Sequence, residues 1–488
     1  MSLLRDLRFL EDATAIPALR EVVREALIRA MFVREERALP KDVVRILTRR
    51  ADVIAKVTDE VEVREAIRVA NGEQSTVALG RPSEEFHYYR QRLGVAKDQP
   101  WGVSARPQRL VTYDWIVPPQ GGVLLDMSGF DGIELDGVNY TAKVGVGARW
   151  KALYDRASDV GMLPAVFPSV PIDVALGDGV IGDAQFRSYR HGFASAIYDV
   201  RGVSAAGLRV NCGFERVPNA GTGYNLRDLA VAFGAEFLVP TYLWTRLTAK
   251  PAVVKNLTYG FDDAARLSAA LEKLTRSGRP YLWANLYDER AWSLVHGSAS
   301  PAPLTLEVGV GGTEALVGAR TKALETAVAG FAAKGETGVP WDGTAAAYAE
   351  RSAKLHRLLF VGEVVTAAKN AGAAIERLRG LGDAKAVRAG FVGNAMDNGQ
   401  VYLSPYFEAA REPLRTYDLS RGVADVVKGL GDAVFDSRLA HLWNEDPQFR
   451  RRMELLFRLE PGLDLPNAIE PAATLASEPI DLFPGEQG

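Results

Sequence analysis

The chain has 488 residues, with 58 Lys and Arg against 61 Asp and Glu and a formal net charge of −3. That length exceeds one ordinary core and predicts two or three domains, while the balanced charge carries no basic excess of the kind a nucleic-acid partner requires. One cysteine, Cys212, excludes an intramolecular disulfide or a cysteine-held metal cluster and suits a reducing, cytoplasmic setting; no stretch reaches the roughly eighteen apolar residues of a membrane span.

Taken in order, residues 14–32 place Leu19, Val22, Val23, Ala26 and Leu27 at helical spacing and predict an amphipathic helix. Val53 to Val57 reads as a strand, Thr58 as the N-cap of a helix reaching Asn71-Gly72, and Thr76 to Leu79 as the next strand. A Gly121-Gly122 turn opens a strand to Asp126. A second strand ends in Val144-Gly145-Val146-Gly147, and a helix from Arg149 to Val160 is closed by Gly161. The turn Gly177-Asp178-Gly179-Val180-Ile181-Gly182 spells G-x-G-x-x-G. A dinucleotide-binding reading of it uses Ile172 to Leu176 as the strand and Asp199 as the acidic residue downstream. Against that reading, Asp183 to Gly192 has no apolar stripe at helical spacing. Further on, Val200 to Leu208 reads as a strand with its turn at Gly207. Asp262 to Ser277 reads as a helix with Ala265, Leu267, Ala270, Leu271 and Leu274 inward. Leu304 to Val310 is a strand ending in Gly311-Gly312, with Thr313 capping a helix to Ala333. Lys334 to Gly343 reads as an exposed loop, and Ala472 to Gly488 as a loose arm.

The ordered pieces Gly121-Gly122-Val-Leu-Leu-Asp126-Met-Ser128, Val144-Gly-Val-Gly-Ala-Arg149-Trp150-Lys-Ala-Leu153, Ala175-Leu-Gly177-Asp178-Gly179, Arg190-His191-Gly192 and Gly223-Tyr224-Asn225-Leu226 offer a second reading. Together they resemble the flavin-binding domain of the vanillyl-alcohol oxidase and p-cresol methylhydroxylase (PCMH-type) superfamily, nearest to FAD-linked D-lactate dehydrogenases and glycolate oxidase subunits. The resemblance implies an α+β chain: an N-terminal helical extension (1–50), a two-lobed PCMH-type FAD-binding domain (51–250), a cap domain of antiparallel sheet and helices (251–471), and a tail (472–488). It implies non-covalently held FAD. The residues carried over to the cofactor are Gly177, Asp178, Gly179, Gly182, Ser188, His191 and Gly192, with Val239 and Thr241 beside the isoalloxazine ring.

The chain departs from the family pattern at several points. Arg81 and Arg106 are alternative markers of the pyrophosphate loop, and neither is followed by Gly-x-Gly. Asp178 replaces the second glycine of a pair. The glycine-rich centre of the block Gly223 to Leu247 is replaced by Ala232-Phe233-Gly234-Ala235-Glu236-Phe237-Leu238, and the cap segment Gly390 to Gly399 holds Phe391 where relatives carry a histidine. The five histidines, His87, His191, His296, His356 and His441, form no H-x-H or H-E-x-x-H pair, so no metal site is expected. His356 and His441 fall on helical patterns as packing residues, and His191 is either a flavin-side contact or a turn residue. Cys212 reads as a buried, inert thiol, and Asp131, Glu134 and Asp136 as a solvated acidic turn. Trp101, Tyr113 and Trp115 interleave with Arg106 and Arg109, either stacking on a flavin or packing a rim.

The resemblance implies an FAD-dependent dehydrogenase of a small 2-hydroxy acid or alcohol such as D-lactate or glycolate. Its electrons would pass to a quinone or an iron-sulfur subunit, and the protein would be cytoplasmic or peripheral to a membrane. The contrasting expectation is a flavoenzyme fold that has lost its cofactor and serves as an assembly subunit.

Overall fold

Short runs of β-branched and aliphatic residues on either side of one amphipathic helix build the first lobe. A computed structural model describes residues 53–70, 102–106, 122–181, 184–204, 206–215, 226–233, 238–328, 333–355, 357–409 and 413–436. In it, β1 (Val53–Lys56), α1 (Glu60–Ala70), β2 (Gly102–Arg106) and β3 (Gly122–Asp126) form a parallel sheet in the order β1-β3-β2. Val53 opposes Val123, and Gly102 opposes Gly122. Val63, Ala66 and Ile67, at i, i+3 and i+4, are the buried stripe of α1. The N-cap is Asp59 rather than Thr58. Its Oδ1 accepts from the Val61 and Glu62 N–H groups at 2.8 and 2.9 Å, and Glu62 Oε2 accepts from Thr58 N–H at 2.7 Å. A carboxylate satisfies two orphan donors at the positive end of the helix, which a hydroxyl does less well. Strand β2 ends on Arg106, one of the two arginines read as alternative loop markers. Arg81, the helix predicted over 14–32, the strand at 76–79 and the aromatic residues from Trp101 to Trp115 lie outside the described residues.

The second lobe comprises β4 (Ile133–Asp136), β5 (Thr141–Gly145), α2 (Trp150–Asp159), β6 (Met162–Pro164), β7 (Phe167–Pro168), β8 (Phe186–Arg187), α3 (Phe193–Ala196), β9 (Ile197–Val203), β10 (Arg209–Asn211), α4 (Leu226–Phe233) and β11 (Val239–Ala249). Its sheet is antiparallel in the order β10-β9-β11-β5-β4, with β6 also on β11. Gly161, at φ +75°, ends α2 as expected. Leu176–Gly179 is a 3₁₀ turn, with neither a strand leading into it nor a packed helix leaving it. The dinucleotide-fold reading therefore fails. Asp199 has a local task, because its buried carboxylate accepts from Gly213 N–H at 2.5 Å and Glu215 N–H at 3.2 Å. The strand expected to reach Leu208 stops at Val203, and Gly207, at φ +72°, turns the chain into β10. Cys212 is buried as expected.

The remaining strands build one antiparallel sheet. In chain order its elements are β12 (Val253–Phe261), α5 (Ala264–Arg276), β13 (Trp283–Asp288), α6 (Glu289–His296), β14 (Leu304–Gly312), α7 (Glu314–Val328), β15 (Ala333–Thr337), α8 (Ala345–Leu355), β16 (Leu359–Phe360), β17 (Glu363–Ala367), α9 (Ala371–Ala384), β18 (Ala389–Ala395), β19 (Gln400–Phe407), α10 (Pro413–Lys428) and β20 (Val434–Asp436). The strand order is β15-β12-β14-β13-β18-β19-β17-β20, with β16 on β19. Asp263 caps α5 by accepting from Arg266 N–H at 2.8 Å, so Ala264, not Ala265, faces inward. The helix expected to reach Ala333 and the loop expected from Lys334 give way to β15, which pairs with β12. An open sheet edge supplies that segment with backbone partners that its glycine-containing sequence does not advertise.

Residues alternate across this sheet. Leu257, Tyr259, Leu306, Val308, Phe391 and Leu403 belong to the core shared with α5, α7, α9 and α10. Trp283, Tyr287, Val392 and Tyr406 join the core of the first two lobes. Trp341 fills the seam, stacked on Phe167 at 4.5 Å between centroids and edge-on to Trp283 at 5.0 Å and Trp150 at 6.2 Å. Trp341→Ala should therefore cost about 3–5 kcal/mol through lost burial and an unfilled cavity, read as a lower urea midpoint.

Candidate functional site

Main-chain packing comes first at the central turn. Val146 donates its N–H to Thr241 O at 3.0 Å and accepts from Gly177 N–H at 3.1 Å, so one residue ties β11 to the turn. A side chain on Gly177 would bring its Cβ to 2.4 Å from Val146 O, a distance only glycine avoids. Gly179 faces the stacked rings of Phe186 and Phe193, whose atoms would lie 2.6–2.9 Å from a Cβ there. Gly182 lies outside the described residues.

Asp178 turns into the protein. Its Oδ2 accepts from Ala175 N–H at 2.8 Å, its Oδ1 has no hydrogen-bond partner among the described residues, and the side chain is fully buried. Desolvation pushes its pKa up to about 7, against the opposing pull of the Ala175 hydrogen bond and the Arg149 guanidinium. An aspartate in this turn need not repel a pyrophosphate, because it points away and is half protonated near neutrality. The described residues of the turn, 176–181, thus fit FAD: a tight glycine backbone, and a single carboxylate that is buried rather than presented outward.

Val239 and Thr241 sit at the seam between the first two lobes. Val239 is core, and the Thr241 hydroxyl lies 2.8 Å from Glu60 Oε1 on α1 and 3.2 Å from Arg201 O. Ser188, His191 and Gly192 form a separate hairpin. Ser188 N–H donates to His191 O at 2.8 Å, His191 N–H donates to Ser188 Oγ at 3.1 Å, and Arg187 bridges Gly192. The large sheet grips this hairpin. Tyr189 N–H donates to Leu282 O at 3.1 Å, Asp397 N–H donates to Tyr189 O at 2.8 Å, and the Tyr189 ring is buried in the helix-side core against Tyr281. His191 is half-buried, and its pKa is lowered by burial first, then by the positive charges of Arg246 and Arg190, with Asp397 opposing. The imidazole is therefore mostly neutral at pH 7 and lies in the positive field of two guanidinium groups, a combination able to take a proton and attract an anion.

The long-range partners that hold the hairpin carry no signal in the sequence. Arg187 forms a fork with Glu363 of β17, at 2.6 and 2.5 Å, and lies 3.7 Å above the Tyr402 ring of β19. Sequence reasoning passed over Glu307, whose Oε1 accepts from Asn256 Nδ2 at 2.6 Å while its Oε2 accepts from Asn285 Nδ2 at 3.0 Å and the Tyr287 hydroxyl at 3.2 Å. His296 Nε2 lies 3.1 Å from the same carboxylate, with its ring on Trp292 at 3.9 Å. A single glutamate within the apolar run Leu304–Gly312 was the available clue. The segment Gly390 to Gly399 forms β18 and its turn. Phe391 is buried on the helix side, and Asn394 donates to Asn285 Oδ1 at 3.0 Å. His87, His356 and His441 lie outside the described residues, among which no cluster of metal-ligating side chains occurs.

Asp178 generates a stability prediction. Its folded pKa lies above its ordinary value of 3.8, so the protonated form stabilises the fold, and that contribution is lost as pH rises through about 7. Between pH 5 and 8 the wild type should lose about 2–3 kcal/mol that Asp178→Asn, which keeps an acceptor for Ala175 N–H, does not lose; paired denaturant titrations measure the difference.

Residues 94–213 match a family model described as an FAD binding domain. No curated protein matches the chain. Among solved structures, the fold is similar to that of p-cresol methylhydroxylase with substrate bound (TM-score 0.63, 13% identity, 86% of this chain and 88% of that one). It is also similar to 4-ethylphenol oxidase from Gulosibacter chungangensis in its isoeugenol complex (TM-score 0.60, 14% identity, 84% and 92% covered). A third likeness is to 6-hydroxy-D-nicotine oxidase from Arthrobacter nicotinovorans (TM-score 0.51, 15% identity, 84% and 90% covered).

Proposed function

We propose that this chain, whose residues 94–213 match an FAD binding domain and whose fold is similar to that of p-cresol methylhydroxylase, is an FAD-dependent dehydrogenase of a small 2-hydroxy acid or alcohol, D-lactate and glycolate being the model substrates. The observation that carries this reading is His191, a half-buried imidazole in the hairpin gripped by the large sheet, its pKa lowered by burial first and then by the positive charges of Arg246 and Arg190. FAD supplies the hydride acceptor when bound. The protein's own part is to receive the substrate hydroxyl proton on the His191 ring while the two guanidinium groups hold the carboxylate, leaving a 2-oxo acid. Gly177, Asp178, Gly179 and the Ser188–Gly192 hairpin are the proposed cofactor contacts, with Val239 and Thr241 at the lobe seam. A quinone or an iron-sulfur subunit would take the electrons onward, since one cysteine cannot hold a cluster. Among the described residues no helix is long and apolar enough to cross a membrane, and we assign the protein to the cytoplasm or its membrane surface.

Purified protein reconstituted with FAD should show a flavin spectrum and reduce an artificial acceptor with D-lactate or glycolate. His191→Asn should lower kcat by about 10²–10⁴-fold. Arg246→Met should chiefly raise KM for the acid while sparing neutral alcohols. Turnover of 4-alkylphenols with no turnover of hydroxy acids would reject the substrate assignment. Protein that takes up no FAD and co-purifies at fixed stoichiometry with a partner would be an assembly subunit on this fold.

A further inference from the structure

The His191 hairpin belongs in sequence to the flavin domain, yet its position is set largely by the other large sheet. Three kinds of contact hold it: the Arg187–Glu363 fork at its base, the main-chain bonds through Tyr189, and the Tyr189 ring in the helix-side core. The fork stands out by its chemistry. Both side chains are nearly sealed from solvent, with exposures of 8% and 3%. Arg187 has further neighbours in the Ser169 hydroxyl at 3.0 Å, the Gln185 side-chain Oε1 at 3.3 Å and the Tyr402 ring. Two charges taken out of water gain little net stability over an apolar pair of the same volume, but their planar geometry fixes orientation. Packing alone does not require an ion pair here.

We propose that Arg187 and Glu363 are positioning residues, a charged latch across the domain boundary that holds the His191 ring in register with Arg246, Arg190 and Asp397. This inference rests on the role given to His191 above. The latch acts on the base of the hairpin: Arg187 pairs with Gly192 through the backbone, so turning Arg187 turns the residue next to His191. A displacement of about 1 Å at a reacting group is enough to cost up to about a hundredfold in rate.

The experiment uses full-length protein with and without FAD. Glu363→Gln strands a buried guanidinium and can fail to fold, so the decisive variant is the charge-free pair Arg187→Met with Glu363→Leu. Arg187→Lys serves as a second test that keeps the charge and loses the fork. Each is checked for cooperative unfolding, and the His191 ring is then titrated by NMR. The titration midpoint should rise towards the ordinary histidine value of about 6.5 in the charge-free variant, and partway in Arg187→Lys. With hydroxy acid, kcat should fall by about tenfold or more while KM changes by less than about threefold. As a control, Arg290→Ala breaks the partly exposed Arg290–Glu408 pair and should leave the midpoint in place. A folded charge-free variant with an unmoved midpoint overturns the latch, as does an equal shift in the control. A wild type that ignores hydroxy acids while its midpoint still moves in the variant refutes the substrate and leaves the latch standing.

Discussion

The buried fork between Arg187 and Glu363 is the constraint around which the halves of this protein are arranged. Arg187 belongs to the strand that follows the glycine turn, and Glu363 opens a strand near one edge of the large sheet, 176 positions later. Removing one partner alone leaves a charge in a place nearly sealed from water, which ties the position of the hairpin to that of the large sheet. The aromatic seam of Trp150, Phe167, Trp283 and Trp341 supplies the area, and the fork supplies the direction.

Asp178 shows how a residue that looks wrong for a phosphate-binding turn becomes compatible with one. In sequence it is a carboxylate where an acidic ligand should approach. In the fold it caps its own turn through Ala175, and burial holds it half neutral near pH 7. The glycines beside it serve the protein first, Gly177 against the Val146 carbonyl and Gly179 against two phenylalanine rings. The same logic holds at Asp199, which stands where a dinucleotide fold would place its ribose acid and is instead spent on the backbone of 213–215.

The large sheet keeps two kinds of chemistry on its two faces. Aliphatic residues meet the outer helices, and on the opposite face Glu307, Asn256, Asn285 and Tyr287 form a sealed hydrogen-bonded cluster under α6. Each carboxylate oxygen there has donors, so the cluster fixes the helix rather than awaiting a ligand.

The sequence by itself determined the strand pair and the helix closed by Gly161 between Gly121 and Gly161, the α+β class and the likeness to an FAD binding domain, because periodic burial and glycine turns are local properties. It also singled out His191 as a candidate, through a motif. Only the tertiary structure decided that Arg106 ends the second parallel strand, that Asp178 faces inward, that residues 333–337 complete a sheet edge, and that Arg187 reaches Glu363. Each of these depends on what lies across a gap of many residues. A charge or an edge strand is neutral in meaning until the fold supplies its partner, since desolvation and hydrogen bonding are set by neighbours in space and not by spacing along the chain.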